Sequence, residues 1–520
     1  MCGPGRSDEE RTSRMSSSNS GAAAASNSQT ASPAKEPTSR ADVPKHARRY
    51  SLWVAAVASI SGLMFGWDAM ALNVIKSALG FHTDSGPAML GFAVAFGVLS
   101  AVLGAFLSGR VSDKVGRRTI MMVAAILFIV SSVGTAFIGS SMVLFLFWRL
   151  FSGMAMGAAM TIAPAYISET APAPMRGMLV SFRQFLLIIG LFVCGLLGDA
   201  MLGAAVQPAG EAPLATAELS LLGLHLEVWQ WAFLSVAVGG VLYLATSSSI
   251  PESPRYLIAK GRTGEAREVL TKTLGADGVQ DRIADITRSL TAQSTRGFRT
   301  LLTSSGTRLQ RIVWVGIGLT ALQQLVGINA IFYYATTIFA TLGFGAQASL
   351  QKTLILTAVK IAAIVAGMLL IDRVGRRPLL LFGSISMFGA LVVTAFTMLT
   401  APQANGNPDL AGSPGLAVVA LVALCLYVFA YAGTWGPIMW VLVGEMFPNR
   451  IRGAATSVAG GVEWASNFAV TLTFPVLATW SIGTTYGIYA TMALLSIIFV
   501  WKFVPETKGL ELEQMDRLAN

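Results

Sequence analysis

Long apolar stretches recur along almost the whole of this chain, from about residue 52 to about residue 504. A helix of about 20 apolar residues crosses the roughly 30 Å of hydrocarbon in a bilayer. We therefore predict an all-α membrane protein with about 12 transmembrane helices. The predicted spans lie near residues 52–75, 88–109, 119–139, 142–167, 177–199, 229–249, 311–340, 353–371, 378–400, 415–443, 453–479 and 483–504.

Composition argues against a soluble protein or a nucleic-acid-binding protein. Charged residues make up 12% of the chain, where soluble domains have about 25%. The net charge of +10 could suggest a polyanionic partner, but the basic residues lie in short clusters between the apolar stretches. We expect the lipid bilayer as the surroundings and no nucleic acid as a partner.

Residues that could support metal binding or catalysis are scattered. The cysteines and histidines show no spacing typical of a metal site: Cys2, Cys194, Cys425, His46, His82 and His225. No nucleophile with a neighbouring base and no phosphate-binding loop is visible. We predict that the protein is not an enzyme and that it has no cofactor and no metal, apart from a proton as a coupling ion.

The polar segments divide the chain and indicate its orientation. The predicted parts are a disordered cytoplasmic tail (1–49), a six-helix half (50–250), a small cytoplasmic helical insert (251–309), a second six-helix half (310–504) and a cytoplasmic tail (505–520). Basic residues follow even-numbered spans, at Arg110, Lys114, Arg117, Arg118, Arg373, Arg376, Arg377, Arg450 and Arg452. Since such residues accumulate in cytoplasmic loops, we expect both termini in the cytoplasm and the protein in the cell (plasma) membrane.

An internal repeat relates the two halves. The loop Asp113–Arg118 after the second span recurs as Asp372–Arg377 after the eighth, and both read DxxGRR. Parallel six-helix repeats are typical of carriers that work by alternating access, with the substrate held near mid-membrane between the halves.

Several further motifs occur in order along the chain. They are GLMFGWD from Gly62, RxxxGxxxG from Arg149, PxYxxE from Pro164, PESPRYL from Pro251, QQxxGxN from Gln323, GPxxW from Gly436, GEMFPxRxRG from Gly444 and PETKG from Pro505. With the two DxxGRR loops, the chain resembles the sugar porter branch of the major facilitator superfamily over residues 50–515. The resemblance implies the major facilitator fold, transport of a monosaccharide or polyol (hexose, pentose or inositol), and a monomer.

Amide side chains are the main candidates for substrate contact. Gln323, Gln324 and Asn329 lie around Gly327 in the seventh span, where a helix break would turn them towards the cavity. An amide donates and accepts hydrogen bonds, as a sugar hydroxyl does, and an aromatic ring can pack on the apolar face of a sugar. By resemblance, the sugar-contact positions are Gln184, Gln323, Gln324, Asn329, Trp440 and Asn467. The alternative is that these groups only join helices.

Asp68 lies within an apolar span, where a charge is costly, so we expect it to face a partner, for which Arg149 is the natural choice. In the family that the chain resembles, an acid at this position is typical of proton symporters. Protonation would release the pairing with the arginine. The alternative is a purely structural pair.

Charged residues at the predicted cytoplasmic ends of the spans are candidates for gating. Ion pairs that join the two halves can hold one conformation and break in the other. The predicted gating residues are Asp113, Arg117, Glu169, Arg176, Asp372, Arg376, Glu445 and Arg450. The alternative is that these charges only set the orientation in the membrane.

Two substrate-site positions depart from the family pattern. Lys360 and Glu463 stand where the family usually has amides, so we add both to the candidate substrate-binding residues. Since either charge alone would be costly in the membrane, we predict that they pair. In the alternative, Lys360 points away or Glu463 titrates independently. The departures favour an inositol, a pentose or a charged sugar derivative over ordinary glucose selectivity.

Two rival functions remain open from the sequence. A facilitative uniporter of the same fold would equilibrate its substrate without accumulating it, and Asp68 argues against this. A non-transporting sugar sensor would keep the fold but signal through a partner.

Overall fold

Long helices make up most of the chain in a computed structural model, which describes residues 43–83, 86–139, 141–206, 216–221, 223–275, 278–292, 301, 309–404, 407–410, 412–447 and 451–506. The first half contains α1 Lys45–Thr83, α2 Pro87–Val115, α3 Arg117–Ala136, α4 Met142–Thr170, α5 Arg176–Ala204 and α6 Val228–Ser249, with a 3-10 turn at Ala173–Met175. Helix α1 begins at Lys45, inside the segment predicted as a tail. The rest of that tail, residues 1–42, lies outside the described residues.

Three short helices follow the first half: α7 Pro254–Ala259, α8 Thr263–Leu274 and α9 Val279–Ala292. They pack through small apolar clusters, such as Leu257 with Ala266 and Val269. The Ser51 hydroxyl donates to the Thr273 carbonyl at 3.2 Å, which ties α8 to α1. The described part of the segment predicted as a helical insert is therefore mostly helical, and it docks on the first half.

The second half contains interrupted helices. It comprises α10 Arg311–Leu325, α11 Ile328–Tyr333, α12 Ala335–Thr341, α13 Ala346–Val374, α14 Arg376–Thr400, α15 Pro414–Ala430, α16 Gly436–Met446, α17 Arg452–Trp480 and α18 Ile482–Phe503, with a π-helix at Tyr431–Trp435. Thus the seventh predicted span is broken into α10, α11 and α12. The tenth is α15 and α16 joined through the π-helix.

Eleven of these helical spans, among the described residues, are long and apolar enough to cross a membrane by composition alone. Helix α17, the eleventh span in chain order, completes the set of twelve and has 29 residues, but Glu463 and Asn467 lower its hydropathy. Since these are two of the candidate substrate-site residues, the least apolar span is one that carries the site. The arrangement agrees with the predicted fold of about 12 transmembrane helices.

The helices pack into two bundles that meet along two seams. Within the first half α1 packs on α5, and α2 on α4; within the second, α14 packs on α18, and α10 on α17. Between the halves, α2 packs on α17, and α5 on α13. Gly157 permits the approach of α4 to α2, because a Cβ there would lie 1.9 Å from the Ala101 carbonyl oxygen.

The end of the bundle that holds both DxxGRR loops is called the motif end below, and the opposite end the far end. At the far end, hydrogen bonds join the halves. Asn73 Nδ2 donates to the Phe332 carbonyl at 3.0 Å, and Thr336 Oγ1 donates to the Asn73 carbonyl at 3.2 Å. Gln351 Nε2 also donates to Asp199 Oδ1 at 3.4 Å. The far end is therefore closed in this conformation.

The long connection between α5 and α6 carries an antiparallel hairpin, β1 Glu218–Leu221 with β2 Leu224–Glu227. Leu219 is buried, and its carbonyl accepts from Trp231 Nε1 at 2.9 Å. Gln230 forms a capping box with Glu227 at the start of α6 and donates to the Ala136 carbonyl at 2.8 Å. A second hairpin, β3 Gln403–Ala404 with β4 Asn407–Pro408, lies between α14 and α15.

Candidate functional site

Three candidate residues form a hydrogen-bonded chain beside the break between α10 and α11. Gly327 adopts φ 89°, and a Cβ there would lie 2.4 Å from the Tyr489 ring, so glycine is required at the break. Asn329 Nδ2 donates to Gln324 Oε1 at 2.6 Å. Gln324 Nε2 in turn donates to Glu463 Oε1 at 3.1 Å. The carboxylate on α17 thereby fixes the direction of both amides.

The side chain of Gln323 has a hydrogen-bond acceptor that no described residue donates to. Its Nε2 donates to the Trp435 carbonyl of the π-helix at 3.2 Å. Its Oε1 is buried and, within the described part of the chain, receives no hydrogen bond. Because a buried unpaired acceptor costs about 1–3 kcal/mol, this atom is suited to receive a hydroxyl from a bound ligand.

The remaining candidate contact residues lie on three other helices. Asn467 is buried on α17 and accepts from Thr471 Oγ1 at 3.2 Å. Trp440 on α16 is 39% exposed, which leaves an indole surface free for a ligand. Gln184 is half-buried on α5 of the first half. The structure thus joins Gln324, Asn329 and Glu463 directly. Asn467 lies on the same helix as Glu463, and Gln184 and Trp440 lie on two further helices.

Asp68 and Arg149 form a buried ion pair within the first half, as the sequence predicts. Arg149 Nη1 lies 2.9 Å from Asp68 Oδ2, and the two side chains are 4% and 2% exposed. The other carboxylate oxygen, Oδ1, has no hydrogen-bond partner among the described residues. Asp68 therefore has one oxygen paired with Arg149 and one without a hydrogen-bond partner among the described residues.

Three of the predicted gating residues at the motif end, Asp113, Arg117 and Glu169, pair within the first half. Arg117 contacts Asp113 at 2.9 Å and Glu169 at 3.2 Å, and Ser253 donates to Glu169. The side chains of Asp372 and Glu445, and all of Arg450, lie outside the described residues. Arg176 and Arg376 also engage in contacts. A latch between the halves stays a prediction.

Two glutamates that sequence reasoning did not single out cap helices at the motif end. Glu252 Oε1 accepts from the backbone N–H groups of Arg117 and Arg118 at 2.9 and 3.2 Å. Glu506 accepts in the same way from the N–H groups of Arg376 and Arg377. The available signal was the repeated Pro-Glu dipeptide after the sixth and the twelfth spans.

The predicted ion pair between Lys360 and Glu463 is wrong for this conformation. The Lys360 ammonium lies over the Phe332 ring, 3.9 Å from its centroid, while Glu463 accepts from Gln324. The physical reason is the packing of their helices, since α13 packs against α5, α12 and α15, whereas α17 packs against α2, α10 and α18. Spacing along the chain does not show which helices are neighbours.

The two six-helix bundles, with a polar cluster in the second of them, define a membrane transporter of the major facilitator fold, not an enzyme. The chain belongs to the family described as Sugar (and other) transporter, which matches residues 54–519. The resemblance to the sugar porters is thereby confirmed.

Curated relatives cover most of the chain. The glucose transport protein of Synechocystis is 40% identical over 90% of this chain and 97% of that protein. The D-xylose-proton symporter of Escherichia coli is 31% identical over 90% of this chain and 96% of that protein. The major myo-inositol transporter of Bacillus subtilis is 30% identical over 89% of this chain and 93% of that protein.

Solved structures of the E. coli xylose transporter are similar in fold. Its inward-open conformation matches with a TM-score of 0.72 and 30% identity, covering 90% of this chain and 99% of that chain. The form bound to 6-bromo-6-deoxy-D-glucose also has a TM-score of 0.72, with 31% identity over 91% of this chain and all of that chain. The chain is therefore a multi-pass membrane protein that transports sugars.

Proposed function

We propose that this protein imports a monosaccharide or polyol (a hexose, a pentose or an inositol) by alternating access, coupled to entry of a proton. The observation that carries the proposal is the polar cluster at the break between α10 and α11. Its unpaired acceptor, Gln323 Oε1, lies one residue from the amide that Glu463 orients. Such a set of directed donors and acceptors suits a ligand rich in hydroxyls.

The buried pair of Asp68 and Arg149 supports proton coupling. A proton on Asp68 would remove its charge and release Arg149, and α1 and α4 would then lose the ion pair that joins them. Asn73 lies five residues further along α1 and makes the far-end hydrogen bonds to the second half. The protonation state of Asp68 would in this way influence whether the far end stays closed.

The energy available from one proton is sufficient for accumulation. A membrane potential of about 100 mV with one pH unit supplies roughly 3.7 kcal/mol, which supports a concentration ratio on the order of 500-fold. The name of the D-xylose-proton symporter, which is 31% identical, is in keeping with this coupling. As in the sequence prediction, the protein would be a monomer of the plasma membrane with both termini in the cytoplasm.

Facilitative uniport is the alternative, favoured if the pair of Asp68 and Arg149 is purely structural. The glucose transport protein of Synechocystis, at 40% identity, carries no coupling ion in its name. A sugar sensor is less well supported, because the three relatives reported above are named as a transport protein, a symporter and a transporter.

Uptake into proteoliposomes tests the proposal. Radiolabelled glucose, xylose and myo-inositol would be offered with and without an imposed inward proton gradient. We expect one of these neutral compounds to accumulate above its outside concentration only with the gradient. If a compound equilibrates across the membrane at a rate that does not depend on the gradient, the protein is a uniporter. If no sugar, polyol or sugar acid enters the vesicles, sugar transport is refuted.

A further inference from the structure

Glu463 replaces the amide of the family pattern and makes a defined contact within the second half. It lies on α17, which packs against α10. Its Oε1 accepts a hydrogen bond of 3.1 Å from Gln324 Nε2 on α10. The carboxylate is therefore held against the amides beside the helix break at Gly327.

This carboxylate fixes the direction of the hydrogen-bond chain. An ionised carboxylate only accepts hydrogen bonds, so Gln324 must turn its Nε2 towards Glu463 and its Oε1 away. That Oε1 accepts from Asn329 Nδ2 at 2.6 Å, which leaves Asn329 Oδ1 as an acceptor outside the chain. Gln324 is 4% exposed, so a reversed amide would set two acceptors against each other without water to separate them. The chain therefore runs in one direction.

Gln323 is oriented in the same sense by a different acceptor. Its Nε2 donates to the Trp435 carbonyl, which can only accept. Its Oε1 is buried and receives no hydrogen bond from a described residue. Both Gln323 and Asn329 thus use their amide nitrogens within the protein and keep their oxygens for a ligand.

We propose that Glu463 is a positioning residue that sets the specificity of the site. By fixing the direction of the amide chain, it makes the cluster a set of acceptors, which recognises substrate hydroxyls as donors. An amide at this position, as in the family pattern, would donate or accept, and the chain would then run in either direction. This inference rests on the proposed function, because it states how the proposed sugar site recognises its substrate.

The orientation of the amides defines the chemistry of the substrate. A free hydroxyl donates to Gln323 Oε1 or Asn329 Oδ1 and satisfies that acceptor. A fluorine, an ether oxygen or a carbonyl oxygen in the same place can only accept, so it leaves the protein acceptor unpaired. The site therefore selects sugars or polyols with free hydroxyls over their oxidised or O-methylated derivatives.

Monodeoxy and monofluoro analogues of the transported sugar test the proposal on the unaltered protein. Each analogue would compete with the labelled sugar for entry into proteoliposomes, one hydroxyl position at a time. At one or more positions, we expect the deoxy analogue to compete about tenfold more weakly than the parent sugar. The fluoro analogue should be equally weak there, within about threefold, because fluorine accepts but does not donate. If fluorine restores competition at every position where the deoxy analogue is weak, the proposal is overturned.

Two variants separate positioning from the simple loss of a contact. In Glu463→Gln the chain can reverse and Asn329 can present its nitrogen, so the fluoro analogue should compete at least about threefold better than the deoxy analogue at one or more of these positions. Adding Gln324→Glu puts a group that only accepts beside Asn329, which must again turn its Nδ2 inwards. We expect this double variant to make the two analogues equally weak again. A double variant that behaves like Glu463→Gln would contradict the role of direction.

The matched control is Glu268→Gln, because Glu268 is exposed on α8 and pairs with Lys272. It should keep the pattern of the unaltered protein. The two analogues are compared on the same variant, so a smaller amount of folded carrier affects both alike. If Glu463→Gln keeps the unaltered pattern, or if every deoxy analogue competes within about threefold of the parent sugar, the positioning role is refuted, although sugar transport stands. If the unaltered protein carries no sugar, the proposed function itself has failed.

Discussion

Glu252 and Glu506 occupy equivalent positions in the two halves of the transporter. Each carboxylate accepts hydrogen bonds from two consecutive backbone N–H groups that open the helix after a DxxGRR loop. The preceding Gly116 and Gly375 have φ of 102° and 109°, and a Cβ on either would lie within 3 Å of the glutamate. Because each loop glycine has no side chain, it leaves room for the carboxylate. That carboxylate follows the last helix of the same half.

Removal of either cap should destabilise the protein. A carboxylate at a helix N-terminus satisfies donors that the helix leaves unpaired and interacts favourably with the helix dipole. We expect Glu252→Ala and Glu506→Ala each to cost about 0.5–2 kcal/mol, measured as a lower midpoint of thermal unfolding in detergent.

The control for the caps is Glu265→Ala, which removes an exposed ion pair with Arg262. Exposed pairs contribute about 0–1 kcal/mol, so its midpoint should stay near that of the unaltered protein. A loss at Glu265 equal to the loss at Glu252 would contradict the assignment of Glu252 as a cap.

Gly97 on α2 should be intolerant of any side chain. A Cβ there would lie 2.5 Å from Arg149 Nη2 and would push the guanidinium from Asp68. We expect Gly97→Ala to cost about 1–3 kcal/mol of stability and to lower gradient-driven uptake. Gly109→Ala is the matched control on the same helix, because a Cβ there meets nothing within 4 Å. If both variants behave alike, the space at Gly97 is not what holds the pair.

The sequence predicts most of the helices because a membrane makes length and apolarity decisive. Every predicted span corresponds to a helix, and Gly327 indicated the break in the seventh. The π-helix at Tyr431–Trp435 was not predicted. The change in backbone hydrogen bonding that makes a π-helix depends on tertiary contacts, such as that of Gln323 with the Trp435 carbonyl. The hairpin Glu218–Glu227 was also missed, because short strands carry little periodic signal.

The residue types of the site could be predicted from the sequence, but only one of the two predicted charge pairs within the membrane forms. The pair of Asp68 and Arg149 could be inferred because two charges in apolar spans need partners. Lys360 and Glu463 satisfied the same argument, yet an aromatic ring and an amide engage them instead. Charge alone does not distinguish among possible partners, and the order in which helices pack does.

The unpaired oxygen of Gln323 gives a direct test of the substrate site. Gln323→Ala removes a candidate acceptor for a substrate hydroxyl, together with the donor to the Trp435 carbonyl. We expect KM for the transported sugar to rise by about tenfold, as for loss of a hydrogen bond of about 1.4 kcal/mol. The exposed Gln347 on α13 provides the control, because Gln347→Ala should leave KM unchanged. An unchanged KM in Gln323→Ala would place the sugar elsewhere.

Asp68→Asn separates coupling from transport. The amide keeps the shape of the carboxylate and a hydrogen-bond acceptor for Arg149, but it cannot take up the proton. We expect the accumulation ratio under a proton gradient to fall to about 1, from a value that one proton could raise to the order of 500-fold. Exchange of labelled for unlabelled sugar across the membrane should continue, because it needs no net proton movement. The exposed Asp285→Asn serves as the control and should keep both activities. If exchange is lost together with accumulation while the variant still folds, Asp68 holds the structure of the carrier and is not its proton site.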